Sequence, residues 1–266
     1  MNSVNKTLYI PLYGKSFVSK KGIILKDEKA EEIWEKEQFS LKGKSKSKYL
    51  AYYMGMRSRV FDDWVKLKME EDPEVIVVHL GCGLDSRVLR VETENHLWFD
   101  VDFPEVIEER KRFYSENQNY KMLKGDVRTD SWLNNLPKCK NAIILMEGIS
   151  MYLTLDEMKN LVSNLKSRFE HFSLLMDCYS VFAAKMSKYK NPINDVGVTT
   201  VYGIDNPKIL ESENLAFVKE HNMTPYVINE VVEHGEEEKL VDKLIISYPD
   251  VDAIFASGST ISQILY

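Results

Sequence analysis

The sequence has few of the features that mark secreted, membrane, metal-binding or nucleic-acid-binding proteins. Its three cysteines are far apart and form no C-x-x-C pair, which argues against a disulfide framework or a zinc site and favours a reduced, cytoplasmic protein. The five histidines show no metal-ligand spacing, so no metal is expected. There is no apolar signal region and no apolar run near the roughly 18 residues of a membrane span. Lys plus Arg number 35 against 41 for Asp plus Glu, so no basic excess suggests a nucleic-acid partner.

Short apolar runs alternate with segments of helical spacing from Val75 onward. The runs are VIVVHL, HLWFDV, YKMLKG, AIILME and FSLLMDC, and the helical segment TLDEMKNLVSNLKSRF opens with a capping box. This alternation predicts an α/β domain with a parallel sheet covered on both faces. We expect one structural domain, with a helical extension over residues 1–72, a core over 73–266 and an insertion near 180–211.

The stretch VIVVHLGCGLDSR, Val75 to Arg87, places two glycines directly after the first strand of this pattern. Ligands of open parallel sheets bind at such strand ends, and glycine lets a ligand approach the backbone closely. The third glycine of a dinucleotide motif is replaced by Ser86, and no P-loop motif occurs. By itself the turn is equally consistent with a purely structural turn, a nucleotide site or a methyl-donor site.

Three acids at the ends of the next strands narrow these alternatives. Asp102 follows Gly83 by 19 residues and suits the two hydroxyls of an adenosine ribose, whereas Asp126 is placed to accept a hydrogen bond from the adenine amino group. Glu147 ends the fourth strand. A crevice with three carboxylates favours a cationic ligand such as S-adenosylmethionine over a dinucleotide, which carries a pyrophosphate.

Several motifs, taken in order, resemble the leucine carboxyl methyltransferase family, including its bacterial tetracenomycin-type O-methyltransferase branch. They are TLYIPLYGKS, DEKAEEI, MRSRVFDDW, VVHLGCGLDSR, WFDVDFPEVIEERK, GDVR, MEGISMYLT and YGIDNPKILE, and they extend from about Thr7 to Glu211. The resemblance implies a Rossmann-like class I methyltransferase fold with a mostly parallel seven-stranded sheet, an N-terminal helical lid and a late insertion. It also implies S-adenosylmethionine as cofactor, S-adenosylhomocysteine as product and no metal.

The resemblance assigns one group of residues to the methionine half of the cofactor. Arg57 is expected to pair with its carboxylate, with help from Lys15, although bacterial members more often have LYGRA where this chain has LYGKS. Gly81 and Gly83 are expected to approach this half of the cofactor, and Glu147 to face its ammonium group.

The remaining assignments concern the adenosine half and the acceptor. Asp102 is expected to hold the ribose, Asp126 and the Val127 backbone the adenine, and Tyr152 to lie at the mouth where a substrate enters. A carboxylate acceptor needs no general base, since its unperturbed pKa is about 4. A hydroxyl acceptor would need one, for which Tyr152 or His79 are the candidates.

The sequence therefore predicts an S-adenosylmethionine-dependent methyltransferase that forms a methyl ester on a small-molecule carboxylate. The alternatives are a protein or peptide C-terminal carboxyl methyltransferase, a hydroxyl O-methyltransferase of secondary metabolism, and a catalytically silent S-adenosylmethionine-binding protein. A small-molecule substrate is the expected partner, with no nucleic acid and no membrane.

Overall fold

A computed structural model describes residues 7–41, 43–93, 95–190, 200–221 and 259–265. The N-terminal part contains helices α1 (Tyr9–Lys20), α2 (Glu28–Glu37) and α3 (Lys48–Glu71). Asp27 begins α2, since its side chain accepts a hydrogen bond from the Ala30 amide at 2.8 Å. Two of these helices, α2 and α3, coincide with the segments DEKAEEIWEKEQF and YLAYYMGMRSRVFDDWVKLK, whose patterns predict helices.

The alternating part of the chain folds into strands and helices in the predicted order. The strands are β1 (Ile76–Leu80), β2 (Trp98–Asp102), β3 (Tyr120–Lys124), β4 (Asn141–Met146), β5 (His171–Tyr179), β6 (Ala216–His221) and β7 (Ser259–Leu265). The helices between them are α4 (Arg87–Arg90), α5 (Pro104–Arg110), α6 (Leu155–Arg168) and α7 (Val181–Lys190). Each of the five apolar runs corresponds to one of the strands β1 to β5.

The strands form one sheet in the order β3-β2-β1-β4-β5-β7-β6. Strands β1 to β5 are mutually parallel, whereas β7 is antiparallel to both β5 and β6. The connections diverge between β1 and β4, and in such sheets the crevice beyond the carboxyl ends of these strands holds the ligand. The predicted Rossmann-like α/β fold with a mostly parallel sheet is confirmed.

Helices cover both faces of the sheet because alternate strand residues point to opposite faces. Val77 and Ile143 share one hydrophobic core with residues of α1, α2 and α3. Val78 and Ile144 point the other way, into a second core with the apolar side of α6. The N-terminal helices therefore form one of the layers that bury the sheet, so the segment predicted as an extension shares its core with the strands.

The predicted capping box of α6 is present. Thr154 accepts a hydrogen bond from the Glu157 amide, and the Glu157 carboxylate accepts one from the Thr154 amide at 2.8 Å. The insertion predicted near 180–211 contains α7 and the 3₁₀ helix Pro207–Leu210. The segment TPYVINEVVEH and the segment GEEEKLVDKLII, whose pattern predicts a helix, lie outside the described residues. No helix in the described part of the chain is long and apolar enough to cross a membrane.

Candidate functional site

A cavity of about 420 Å³ lies beyond the carboxyl ends of β1 to β4, within the usual size range of small-molecule sites. Its walls come from α1, α3, the glycine turn and the segments that follow β2, β3 and β4. Every residue to which the sequence assigns a role in the cofactor or acceptor site lines it: Lys15, Arg57, Gly81, Gly83, Asp102, Asp126, Val127, Glu147 and Tyr152. Residues far apart in the chain are thus brought to one place by the parallel topology.

The glycine turn after β1 adopts a conformation that side chains rarely tolerate. Gly81 has φ +62° and Gly83 has φ +51°, both in the left-handed region. A Cβ atom at Gly81 would also lie 2.2 Å from Ile149 Cγ2, so a side chain there would displace the segment after β4. The turn is bound to β2, since the Gly81 amide donates to the Val101 carbonyl at 2.8 Å. Glycine is therefore required at Gly81 both by backbone angle and by lack of space.

Asp102 is a buried carboxylate at the end of β2. Its two oxygens accept hydrogen bonds from the Gly83 and Phe103 amides, both at 2.8 Å. Burial raises the pKa of Asp102 to about 6, and these amide hydrogen bonds only partly oppose that effect. Among the described residues no Lys or Arg forms an ion pair with it. The Asp102 carboxylate is therefore held in a fixed position with unused acceptor capacity toward the cavity.

Asp126, after β3, is already partly neutralised by a neighbour. Arg128 binds it through both side-chain oxygens, with Nε to Oδ1 at 2.9 Å and Nη2 to Oδ2 at 2.6 Å. These hydrogen bonds lower the pKa of Asp126. Val127 lines the cavity beside it and is half-buried. The carboxylate is thus ionised and oriented at the end of the cavity assigned to adenine.

Glu147, at the end of β4, is bound by side chains from two other elements. Arg57 Nε donates to its Oε1 at 3.0 Å, and Ser58 Oγ donates to the same oxygen at 3.0 Å. Arg87 donates to Oε2 through Nη2. Burial alone would raise the pKa of Glu147, but Arg87 and Arg57 outweigh it and lower the pKa to about 2. Glu147 is therefore ionised throughout the physiological range.

Lys15 of α1 also lines the cavity and is paired with Asp85 at 2.7 Å. The other oxygen of Asp85 accepts from the Arg87 amide at 2.8 Å and from Arg90 Nη1 at 3.0 Å. Burial would raise the pKa of Asp85, yet the surrounding cations, Arg87 first and then Lys15, hold it well below its usual range. This carboxylate joins α1 to the glycine turn.

Both candidate bases, Tyr152 and His79, are already bound to neighbouring side chains. Burial raises the pKa of Tyr152 to about 12, and its hydroxyl hydrogen-bonds with the Thr7 side chain. His79 is only 1% exposed, with Nε2 3.2 Å from Arg87 Nη1 and Nδ1 3.4 Å from Asp100 Oδ1. Because arginine only donates, Nε2 must accept, which places the His79 proton on Nδ1. The nitrogen that would take a proton is thus already occupied.

The sequence reasoning gave no role to two charged residues that organise the site. Arg87 lies in the quoted motif GLDSR and pairs with Asp62 at 2.7 Å as well as with Glu147. Asp177 lies near the carboxyl end of β5 and pairs with Arg57 at 2.9 Å. Its position near the end of an apolar run, close to that of Glu147 one strand earlier, is the signal that could have identified it.

The residues present fit S-adenosylmethionine. The buried Asp102 carboxylate needs additional hydrogen-bond donors, which a ribose diol provides. At the other end of the cavity, the cations Arg57 and Lys15 match the carboxylate of an amino acid, and Glu147 matches its ammonium group. Apolar side chains, among them Leu8, Ile10, Met54 and Ile149, complete the wall and suit an organic acceptor. Among the described residues no cluster of His, Cys, Asp and Glu is arranged to hold a metal ion.

The sheet order and the cavity define a class I methyltransferase fold. The family profile described as leucine carboxyl methyltransferase matches residues 3–166, which is more than half of the chain. The chain therefore belongs to the leucine carboxyl methyltransferase family, as its motifs predict.

Two curated relatives and one solved structure illustrate the similarity. The tetracenomycin polyketide synthesis O-methyltransferase TcmP of Streptomyces glaucescens is 32% identical over 157 residues, which are 59% of this chain and 58% of the relative. The S-adenosyl-L-methionine-dependent methyltransferase dpfgK of Gibberella zeae is 28% identical over 184 residues, 64% of this chain and 62% of the relative. The matches thus span about three fifths of each relative's length.

The structural match supports the fold alone. The magnesium protoporphyrin IX methyltransferase (ChlM) of Synechocystis PCC 6803, crystallised with bound SAH, superposes with a TM-score of 0.50 at 13% identity. The superposition covers 90% of this chain and 93% of the other. It extends the agreement beyond the region that the family profile matches.

Proposed function

We propose that this protein is an S-adenosylmethionine-dependent O-methyltransferase that forms a methyl ester on a small-molecule carboxylate. The observation that carries the proposal is the convergence on one cavity of the glycine turn, the acids that follow β2, β3 and β4, and the cations of α1 and α3. Membership of the family and the methyltransferase names of its relatives agree with it.

The methionine half of the cofactor lies, in this proposal, among Arg57, Lys15 and Glu147. Arg57 binds the carboxylate with help from Lys15, and Glu147 faces the ammonium group. Gly81 and Gly83 leave the backbone of the turn accessible because neither has a Cβ atom. Bound S-adenosylmethionine supplies the methyl group on a sulfonium, which is already a good leaving group.

The adenosine half lies at the other end of the cavity. Asp102 accepts hydrogen bonds from the ribose hydroxyls, and its contact with the Gly83 amide fixes the carboxylate for that purpose. Asp126 and the Val127 backbone hold the adenine. These contacts align the donor, and alignment can lower a barrier by about 7–11 kcal/mol when two reactants are held in place.

A carboxylate acceptor agrees best with the state of the two candidate bases, Tyr152 and His79. Tyr152, with a pKa of about 12, is almost entirely protonated at pH 7, and the acceptor nitrogen of His79 faces Arg87. A carboxylate with its ordinary pKa of about 4 is ionised without help. The chain then needs only to position the acceptor near the apolar wall and exclude water.

Methyl transfer and the alkali lability of the product test the proposal together. The protein is incubated with S-adenosylmethionine carrying a labelled methyl group and with a panel of small acids, phenols and a cell extract. We expect label on a small molecule, released as methanol by mild alkali, with turnover at saturating S-adenosylmethionine nearly constant from about pH 6 to 8. The variant Asp102→Ala should lose turnover, and its matched control Asp130→Ala, at an exposed acid, should retain it.

Other outcomes distinguish the alternatives. Label that stays fixed after alkali, with turnover that rises with pH, would assign the protein to the ether-forming class. Label found only on polypeptide would favour protein carboxyl methylation. Binding of the donor without any transfer would indicate a silent binding protein.

A further inference from the structure

Asp177 makes two contacts that join separate parts of the site. The residue lies near the carboxyl end of β5 and is only 2% exposed. Its Oδ2 accepts a hydrogen bond from Arg57 Nη1 at 2.9 Å, and its Oδ1 accepts one from the Gly148 amide at 2.6 Å. One carboxylate therefore fixes a guanidinium of α3 and the backbone directly after β4.

Gly148 adds a steric restriction to the same arrangement. Its φ is +74°, and a Cβ atom there would lie 3.2 Å from Arg57 Nη2 and 3.5 Å from Nη1. The guanidinium thus lies closely over the backbone of residue 148, with Nε held by Glu147 and Nη1 held by Asp177. Bonds at two different nitrogens of a planar group determine its orientation as well as its position.

We propose that Asp177 is a positioning residue, which orients the Arg57 guanidinium toward the α-carboxylate of the methyl donor. This inference rests on the proposed function. Glu147 alone holds only Nε and would leave the guanidinium free to rotate about that contact. Asp177 holds a second nitrogen of the guanidinium and so prevents this rotation. Because Asp177 also accepts from the Gly148 amide, a shift of the segment after β4 also moves Arg57.

The binding of three ligands distinguishes this positioning role of Asp177 from the other roles that a buried acid can have. S-adenosylmethionine and S-adenosylhomocysteine both carry the amino-acid half, whereas 5′-methylthioadenosine lacks it. We expect Asp177→Asn to weaken the first two by a similar factor of about tenfold, the usual consequence of losing a charge-assisted hydrogen bond. Binding of 5′-methylthioadenosine should stay at the wild-type level. Isothermal titration of the full chain measures all three affinities.

Two further variants make the result interpretable. Asp102→Ala removes the ribose contact and should weaken all three ligands. Gly148→Ala displaces the guanidinium by a different route and should reproduce the Asp177→Asn pattern. It provides the same test if Asp177→Asn unfolds below the assay temperature.

Each other result overturns the proposal in a recognisable way. Equal weakening of all three ligands by Asp177→Asn would show a general structural role. Weakening of the sulfonium ligand alone would show that only the negative charge of Asp177 matters. Unchanged affinities would show no role in donor binding. If the wild-type protein binds none of the three ligands, the proposed function itself fails.

Discussion

Asp102 should make the binding of S-adenosylhomocysteine depend on pH. In the free protein the pKa of Asp102 is about 6 because the carboxyl is buried. Ribose hydroxyls donate to the ionised form, so its pKa must fall in the complex and binding at low pH must release a proton. At pH 5 only about one tenth of the Asp102 side chains are ionised, so the ligand should bind about tenfold more weakly than at pH 7.5, a difference of about 1.4 kcal/mol.

Calorimetric titration between pH 5 and 7.5, in two buffers with different ionisation enthalpies, measures both the affinity and the released proton. The matched control is Asp102→Asn, which should bind weakly and with little pH dependence in this range. A wild-type affinity that is constant from pH 5 to 7.5, with the protein folded throughout, would refute the assigned role of Asp102.

The raised pKa of Asp102 also affects the stability of the free protein. Folding raises the pKa of Asp102 from 3.8 to about 6, so the folded state binds this proton more tightly. The stabilisation is fully present below about pH 4 and is lost as pH rises through about 6. The bound ligand should offset this loss, because it stabilises the ionised carboxylate.

Two substitutions test other parts of the site by urea unfolding. Glu147→Gln should lower the free energy of unfolding by about 3–5 kcal/mol, because it leaves two buried arginines without their shared carboxylate; a loss below about 1 kcal/mol would contradict this. Gly81→Ala should cost about 1–3 kcal/mol from backbone strain and more from the clash with Ile149. Gly22→Ala is its matched control, since Gly22 has φ +70° with open space around it, and equal losses at both positions would show that the clash contributes nothing.

Local patterns in the sequence predicted much of this fold. The apolar runs became the parallel strands because continuous hydrophobic sequence is what a sheet buried on both faces requires. The capping box of α6 formed because it depends only on residues three apart. The convergence of the strand-end residues also followed, because the carboxyl ends of parallel strands meet at one edge of the sheet.

The partners of the charged site residues were not predictable in the same way. Arg57 and Arg87 meet Glu147 from 90 and 60 residues away in the chain. The first contact arises only when α3 packs against the sheet, and the second only when the start of α4 lies beside the end of β4. The pattern of three strand-end acids suggested an excess of negative charge in the crevice. In the structure, Arg128 and these two arginines neutralise much of it, leaving Asp102 as the carboxylate without an ion-pair partner among the described residues.

Isothermal titration of the wild-type protein with S-adenosylmethionine and, separately, with NAD tests the central claim most directly. We expect S-adenosylmethionine to bind with micromolar affinity, about −8 kcal/mol. We expect NAD not to bind, because Ser86 stands where a dinucleotide motif has its third glycine. Binding of NAD without binding of S-adenosylmethionine would contradict the assignment of this cavity to a methyl donor.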